Sequence, residues 1–247
     1  MTQPAHCSFP FIIDETLSRE LAIIERADND GRIESSRPKR AVAKNTKFWA
    51  NGRTLRIAIT RYNEDMYQTV VSAINQWAPH VNLTFEFLEL PDNDEEYEGD
   101  IRIYLASHYD GEGGSAIGTD ALAVASHIPT MFLGTKYQTP YFTQAALHEF
   151  GHALGLEHEH QHPDATLQWN MLELYREFKR LGWSKELVDS NVLKKLEREE
   201  VRFSTYDQNS IMHYSFPGSV MLDGVAIASN SVISVKDIEF ISSVYPR

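Results

Sequence analysis

The strongest constraint on this chain of 247 residues is the stretch at 144–159, QAALHEFGHALGLEHE. Residues four apart on a helix lie on one face, so His148 and His152 can present two imidazoles to one ion. Leu147, Phe150 and Leu154 fall on roughly the opposite side and read as the core face. Gly155 stands three residues after His152, where a left-handed residue would end the helix and turn the chain back. That turn brings His158 towards the same point as a third ligand. Three neutral imidazoles leave the fourth tetrahedral position to water, the ligand set of a catalytic rather than a structural zinc site. Glu149, between the two helical histidines, is placed to take a proton from that water.

H-E-x-x-H alone recurs by chance on ordinary helix surfaces. The run H-E-x-x-H-x-x-G-x-x-H fixes five positions at once, with a glycine where the geometry needs one. The expectation is one Zn²⁺ per chain on His148, His152 and His158. His160, His162 and His213 are surplus to that ligand set, and supporting or surface roles suit them better.

Composition bounds the rest. With 42% hydrophobic residues the chain can bury a sizeable core as one globular unit. Its net charge of −12 argues against nucleic acid or an anionic membrane as the main partner. Cys7 is the only cysteine, so no intrachain disulfide can form. The start, MTQPAHCSFP, has neither a basic segment nor a continuous apolar one, and no apolar run is long enough to span a bilayer. The expectation is a chain without an ordinary signal peptide, cytoplasmic by default or exported by a leaderless route, and a monomer.

Residues 1–40 differ from the rest of the chain: they are polar, with one helical pattern from Glu15 to Arg26 and a basic run, RPKR, at 37–40 that suits either a processing site or a solvated turn. From Phe48 onward the patterning is regular. Leu55, Ile57 and Ile59 alternate as a strand does, and so do Leu83, Phe85 and Phe87, then Ile101, Ile103 and Leu105. Met66, Tyr67, Val70, Val71, Ile74 and Trp77 recur at helical spacing, and 130–134 is a further short strand. The order strand–helix–strand–strand–strand–helix describes an α+β lobe, a twisted mixed sheet carrying helices, with the histidine helix last.

The acidic run at 92–100 lacks the spacing of a calcium loop and reads as a solvated connection. The glycine-rich run at 111–118 lacks the ending of a phosphate loop and reads as a bulge or a close approach of bound peptide. Past His158, Met171, Leu172, Leu174, Tyr175 and Phe178 predict one helix face, and 184–200 a second amphipathic helix. Ser234 to Asp237 forms a capping-box pattern ahead of Ile238, Ile241 and Val244.

The second informative motif is SIMHY at 210–214. Together with the histidine run it resembles the metzincins, whose downstream turn sets a methionine beneath the zinc histidines. SIMHY is similar to the astacin form of that turn, and His158-Glu159 to the astacin extension of the zinc motif. Phe48-Trp49 and the segment 114–120 add weaker matches, and the likeness spans about 41–247. The resemblance implies a zinc endopeptidase acting on peptides or proteins, in a two-lobed zincin fold with the active-site cleft between a sheet-and-helix lobe (41–158) and a mostly helical lobe (159–247). Residues 1–40 would be an extension and candidate prosegment. By the same resemblance Met212 is the turn methionine, and Glu159 anchors the start of the mature domain. Tyr214 either ligates the metal or swings away to stabilise the oxyanion.

The chain departs from the family in three ways. It lacks the disulfides of extracellular astacins. Residues 1–40 lack the Phe-x-Gly-Asp inhibitory motif, for which the thiolate of Cys7 is a candidate replacement. The segment 214–235 holds no Lys or Arg, so an apolar or mixed pocket is expected rather than one selecting an acidic residue after the scissile bond. Two other readings stay open: a zinc-holding, catalytically silent peptide-binding protein, and a thermolysin-type site in which Glu173 or Glu186 replaces His158.

Overall fold

The computed structural model describes residues 6–7, 13–30, 46–60, 63–89, 98–198 and 202–247, with backbone only at 6, 7 and 89. The basic run at 37–40 and most of the acidic run at 92–100 lie outside the described residues. Of the acidic run, Asp100 is not merely solvated: its carboxylate accepts from Arg53 at 2.6 Å and from the Arg56 amide at 2.9 Å.

Six strands form one sheet: β1 (His6–Cys7), β2 (Thr54–Ile59), β3 (Thr84–Glu89), β4 (Ile101–Leu105), β5 (Glu112–Ser115) and β6 (Met131–Leu133). The order across the sheet is β1-β5-β6-β4-β2-β3. Neighbours are parallel except β5 and β6, which run antiparallel with Gly114 opposite Phe132. The alternation in β2 places Leu55, Ile57 and Ile59 in the core, with Ile57 paired to Phe87 on one side and Ile101 on the other.

The helices are α1 (Glu15–Glu25), α2 (Glu64–Ile74), α3 (Pro140–Ala153), α4 (Met171–Arg180), α5 (Lys185–Val188) and α6 (Val235–Val244). Asn63 caps α2 by accepting the Met66 amide at 2.8 Å, and Thr139 with Pro140 starts α3. Trp49, Leu55, Ile57, Ile74, Trp77 and Phe150 belong to the larger core. Each such side chain stabilises the fold by about 1.5–3 kcal/mol. A second core gathers Leu174, Phe178, Val192, Phe216 and Val220. Helix α6 returns to the larger core through Ile241 and Val244.

The structure corrects three sequence expectations. The run at 111–118 supplies a strand, β5, because β6 offers it a ladder that glycine-rich residues do not seek alone. Met171 and Leu172 are exposed, since the face of α4 that meets the second core carries Leu174, Tyr175 and Phe178. Among the described residues, the helix expected over 184–200 is only α5 followed by a π-turn at Asp189–Leu193, and 194–198 form neither helix nor strand.

Residues 14–30 pack onto the body. Ser18 Oγ bonds to Asp120, and Glu25 pairs with Arg53. Buried Asn29 donates to the carbonyls of Ala22 and Phe48, both at 2.8 Å. Among the described residues no helix is long and apolar enough to cross a membrane.

Candidate metal centre

Helix α3 is buried from Ala145 to Ala153, with Leu147 and Phe150 on the larger core and His148, Glu149 and His152 turned the other way. Its end is fixed by two aromatic donors: Trp49 Nε1 donates to the Ala153 carbonyl at 2.8 Å, and the Tyr245 hydroxyl to that of Leu154 at 2.7 Å. Gly155 follows at φ +97°, where a β-carbon would also crowd Phe48 at 2.7 Å. The chain turns back, and the Leu156 amide bonds to the Gly151 carbonyl at 3.0 Å. Three residues after Gly155, His158 faces the two helical histidines.

His148, His152 and His158 are the one group of three or more His, Cys, Asp or Glu side chains among the described residues arranged to hold an ion, with ligand atoms within 4.8 Å of one another. Both motifs orient these rings. Nδ1 of His148 donates to the Ile211 carbonyl at 2.8 Å, and Nδ1 of His152 to that of Leu156 at 2.7 Å. A carbonyl only accepts, so each ring carries its proton on Nδ1 and turns an Nε2 lone pair inward. Nε2 of His148 is buried with no hydrogen-bond partner among the described residues. Nε2 of His152 lies 3.0 Å from Nε2 of His158. Converging lone pairs repel unless a cation lies among them, and three imidazole nitrogens suit zinc. The residues present therefore fit the metal.

Burial holds all three imidazoles neutral: it pushes His148 down to about 4, and His152 and His158 well below the usual histidine range, with neighbouring imidazoles adding to the effect on the latter two. Neutral rings are what a metal needs as ligands. The carboxylates of the thermolysin-type alternative lie elsewhere: Glu173 pairs with Arg176 at 2.6 Å, and Glu186 is exposed on α5.

Glu149 is 3% exposed and lies against β5, where a β-carbon on Gly113 would stand 2.7 Å from its Oε1. The glycine-rich run, expected to bulge or to admit a bound peptide, instead gives Glu149 room at Gly113. Cys7 pairs with that same Gly113 through the β1–β5 ladder. Tyr214 is buried, its ring 4.4 Å from that of His158 and 5.9 Å from that of His148.

Met212 lies under α3 at Gly151, in a turn anchored by the cap of α6. Asp237 accepts from Ser210 Oγ at 2.6 Å and from the Ile211 amide at 2.9 Å while closing the capping box with Ser234. Asp237 escaped the sequence reading as a site residue; the capping-box pattern was its only signal. Glu159 accepts the Asp207 amide at 2.6 Å. Burial pushes its carboxyl up to about 8. It lines an open, solvent-connected cleft together with Lys47, Glu157, Asp207 and Lys236.

A family model described as Astacin, a peptidase family, matches residues 41–219. Two solved structures of myroilysin are similar to the chain. One is 32% identical, with a TM-score of 0.74, covering 81% of this chain and 96% of that one. The other is 30% identical, with a TM-score of 0.61, covering 90% and 96%. High choriolytic enzyme 1, a hatching enzyme zinc-protease from Oryzias latipes (medaka fish), shares the fold at 19% identity and a TM-score of 0.51, covering 81% of this chain and 94% of that one. No curated protein matches.

Proposed function

This chain belongs to the astacin family of zinc metallopeptidases, and we propose that it cuts protein substrates internally with one zinc per chain on His148, His152 and His158. The observation that carries this reading is the convergence of buried imidazole nitrogens beside a buried glutamate. When bound, zinc supplies Lewis-acid activation of water and of the peptide carbonyl. Glu149 takes the proton of the attacking water and passes it to the leaving amine. The Tyr214 phenol donates to the oxygen on which charge develops, and Met212 forms the apolar floor beneath the histidine rings.

Residues 1–40 act as a prosegment, with 41–247 as the peptidase domain. The pairing of His6–Cys7 with Glu112–Gly113 supports this, because it lays the extension along the strand that backs Glu149. The Cys7 thiolate is the inhibitory group in place of the missing aspartate motif. Glu159 is the acceptor for the amino terminus of the processed chain, a role supported by its place in the cleft beside Lys47. The enzyme works as a monomer, and its charge of −12 supports a partner that is neither nucleic acid nor an anionic membrane.

Zinc content measured with cleavage of an unfolded protein mixture, wild type against Glu149→Gln, tests the reading. One zinc in both proteins and cutting by wild type alone are expected, with a loss of about 10²–10⁴-fold in the variant. Zinc in both and cutting by neither, before and after removal of the extension, would point to the silent binding protein. Absence of zinc would overturn the reading.

A further inference from the structure

Behind Tyr214 stands a side chain that is neither among the clustered histidines nor in contact with solvent. His160 is 2% exposed, and its ring lies face to face with the phenol, centroids 4.5 Å apart and planes 23° apart. The other close ring to the phenol is that of His158, met edge-on at 4.4 Å, with those of His148 and Phe216 farther off at 5.9 and 6.3 Å. Tyr214 is therefore held between the third candidate ligand and His160.

His160 is itself fixed. Its Nε2 donates to the Asn191 carbonyl at 2.9 Å, and Phe216 closes one edge of the ring at 5.6 Å. Asn191 belongs to the π-turn at Asp189–Leu193, an uncommon wide turn that recurs at functional sites. Gln161, the next residue, pins that turn from the same side: its Nε2 donates to the carbonyls of Ser190 at 3.1 Å and Lys194 at 2.9 Å. The Leu196 amide returns to the Gln161 carbonyl at 2.8 Å. The chain segment that carries His158 is thus bolted to the second lobe directly behind the phenol.

The arrangement has a cost. With its proton on Nε2, His160 leaves Nδ1 buried and without a partner among the described residues. An orphan buried acceptor is rare and calls for an explanation other than packing, since an apolar side chain would fill the space without it. What the imidazole adds is a flat face held by a hydrogen bond, which an aliphatic side chain cannot provide.

We propose that His160 is a positioning residue for Tyr214: its bonded ring is a fixed back wall that sets the plane of the phenol and hence where the hydroxyl points. The inference rests on the reading of Tyr214 as the donor to the developing charge.

The test is a double-mutant cycle on the zinc-loaded chain in the form that cleaves protein, together with ¹³C-tyrosine NMR of the full chain. His160→Leu keeps the bulk and loses the flat, bonded ring. It is expected to lower kcat about 10-fold with KM and zinc content unchanged, and to speed flipping of the Tyr214 ring. His160→Phe, which restores a flat face, should recover most of the kcat. In a Tyr214→Phe background His160→Leu should cost less than about 2-fold, because the donor it positions is gone. An equal loss in both backgrounds, or an unchanged flip rate, would overturn the proposal while leaving the role of Tyr214 intact. A fully active Tyr214→Phe would overturn that role and this inference with it.

Discussion

Met212 packs against bare backbone at Gly151: a β-carbon there would overlap the methionine Sδ. The contact ties the two halves of the site together, because the residue before Met212 supplies the carbonyl that orients His148. A methionine pressed onto a helix needs a residue without a side chain beneath it, and α3 provides one between its two histidines.

Gly151→Ala separates two opposing effects. Alanine improves helix propensity by about 1 kcal/mol, so without a clash the variant would be more stable. We expect the opposite: a loss of about 1–3 kcal/mol from overpacking, and zinc affinity weakened about 10–100-fold as the Ile211 carbonyl moves. Thermal melting and a chelator competition measure the two. A more stable variant with unchanged zinc affinity would show that the methionine yields freely.

Asn29 binds the extension to the body. Its side chain accepts the Phe48 amide at 3.1 Å and the Thr46 hydroxyl at 2.8 Å while donating to two carbonyls. Alanine would strand those buried groups, so Asn29→Ala should destabilise the full chain by about 2–3 kcal/mol. Chemical denaturation reads this, and a change below about 0.5 kcal/mol would mean that water replaces the amide.

The site was more legible in the sequence than its surroundings. The metal motif could be read because local rules alone bring its members together: helical spacing joins His148 to His152, and one glycine returns His158. Strands β2 and β3 could be read because core-facing residues alternate with exposed ones, β4 and β6 because their apolar residues are buried on both faces, and Ser234 to Asp237 capped α6 as expected. Strand β5 was illegible since its residues, Glu112–Ser115, carry almost no side-chain pattern and become a strand only through pairing. The π-turn was missed for a related reason. The turn is braced by Gln161, about thirty residues away in sequence, which donates to the carbonyls of Ser190 and Lys194, and no periodicity records such a partner.

Cys7 lies on β1, paired to the strand that backs Glu149. If its thiolate silences the site, Cys7→Ala in the full-length protein should raise peptide cleavage at least about 10-fold at neutral pH, since thiolate is a strong zinc ligand. Continuous cleavage of a fluorogenic peptide measures it. Unchanged activity would remove the thiol from the inhibition and leave β1 pairing as the whole of it.

Glu159 makes stability depend on pH in a direction that can be worked out. Burial raises its carboxyl from 4.5 to about 8, so the folded chain holds this proton more tightly than the unfolded one. The stabilisation is complete below about pH 4.5 and is lost as pH rises through about 8. Glutamine keeps the acceptor for the Asp207 amide but has no charge to bury. Wild type should therefore lose stability relative to Glu159→Gln between about pH 5 and 9, by on the order of 2 kcal/mol once partial solvent contact is discounted. Melting curves of the full-length pair across that range measure it, and parallel pH profiles would mean that the carboxyl ionises without penalty. The processed enzyme should behave differently. An amino terminus seated beside Glu159 would stabilise the carboxylate, so there the glutamine variant should be the weaker one at neutral pH. A reversal of sign between the two forms is the signature of an anchor, and an equal sign in both would reduce Glu159 to a buried acid that holds the Asp207 turn.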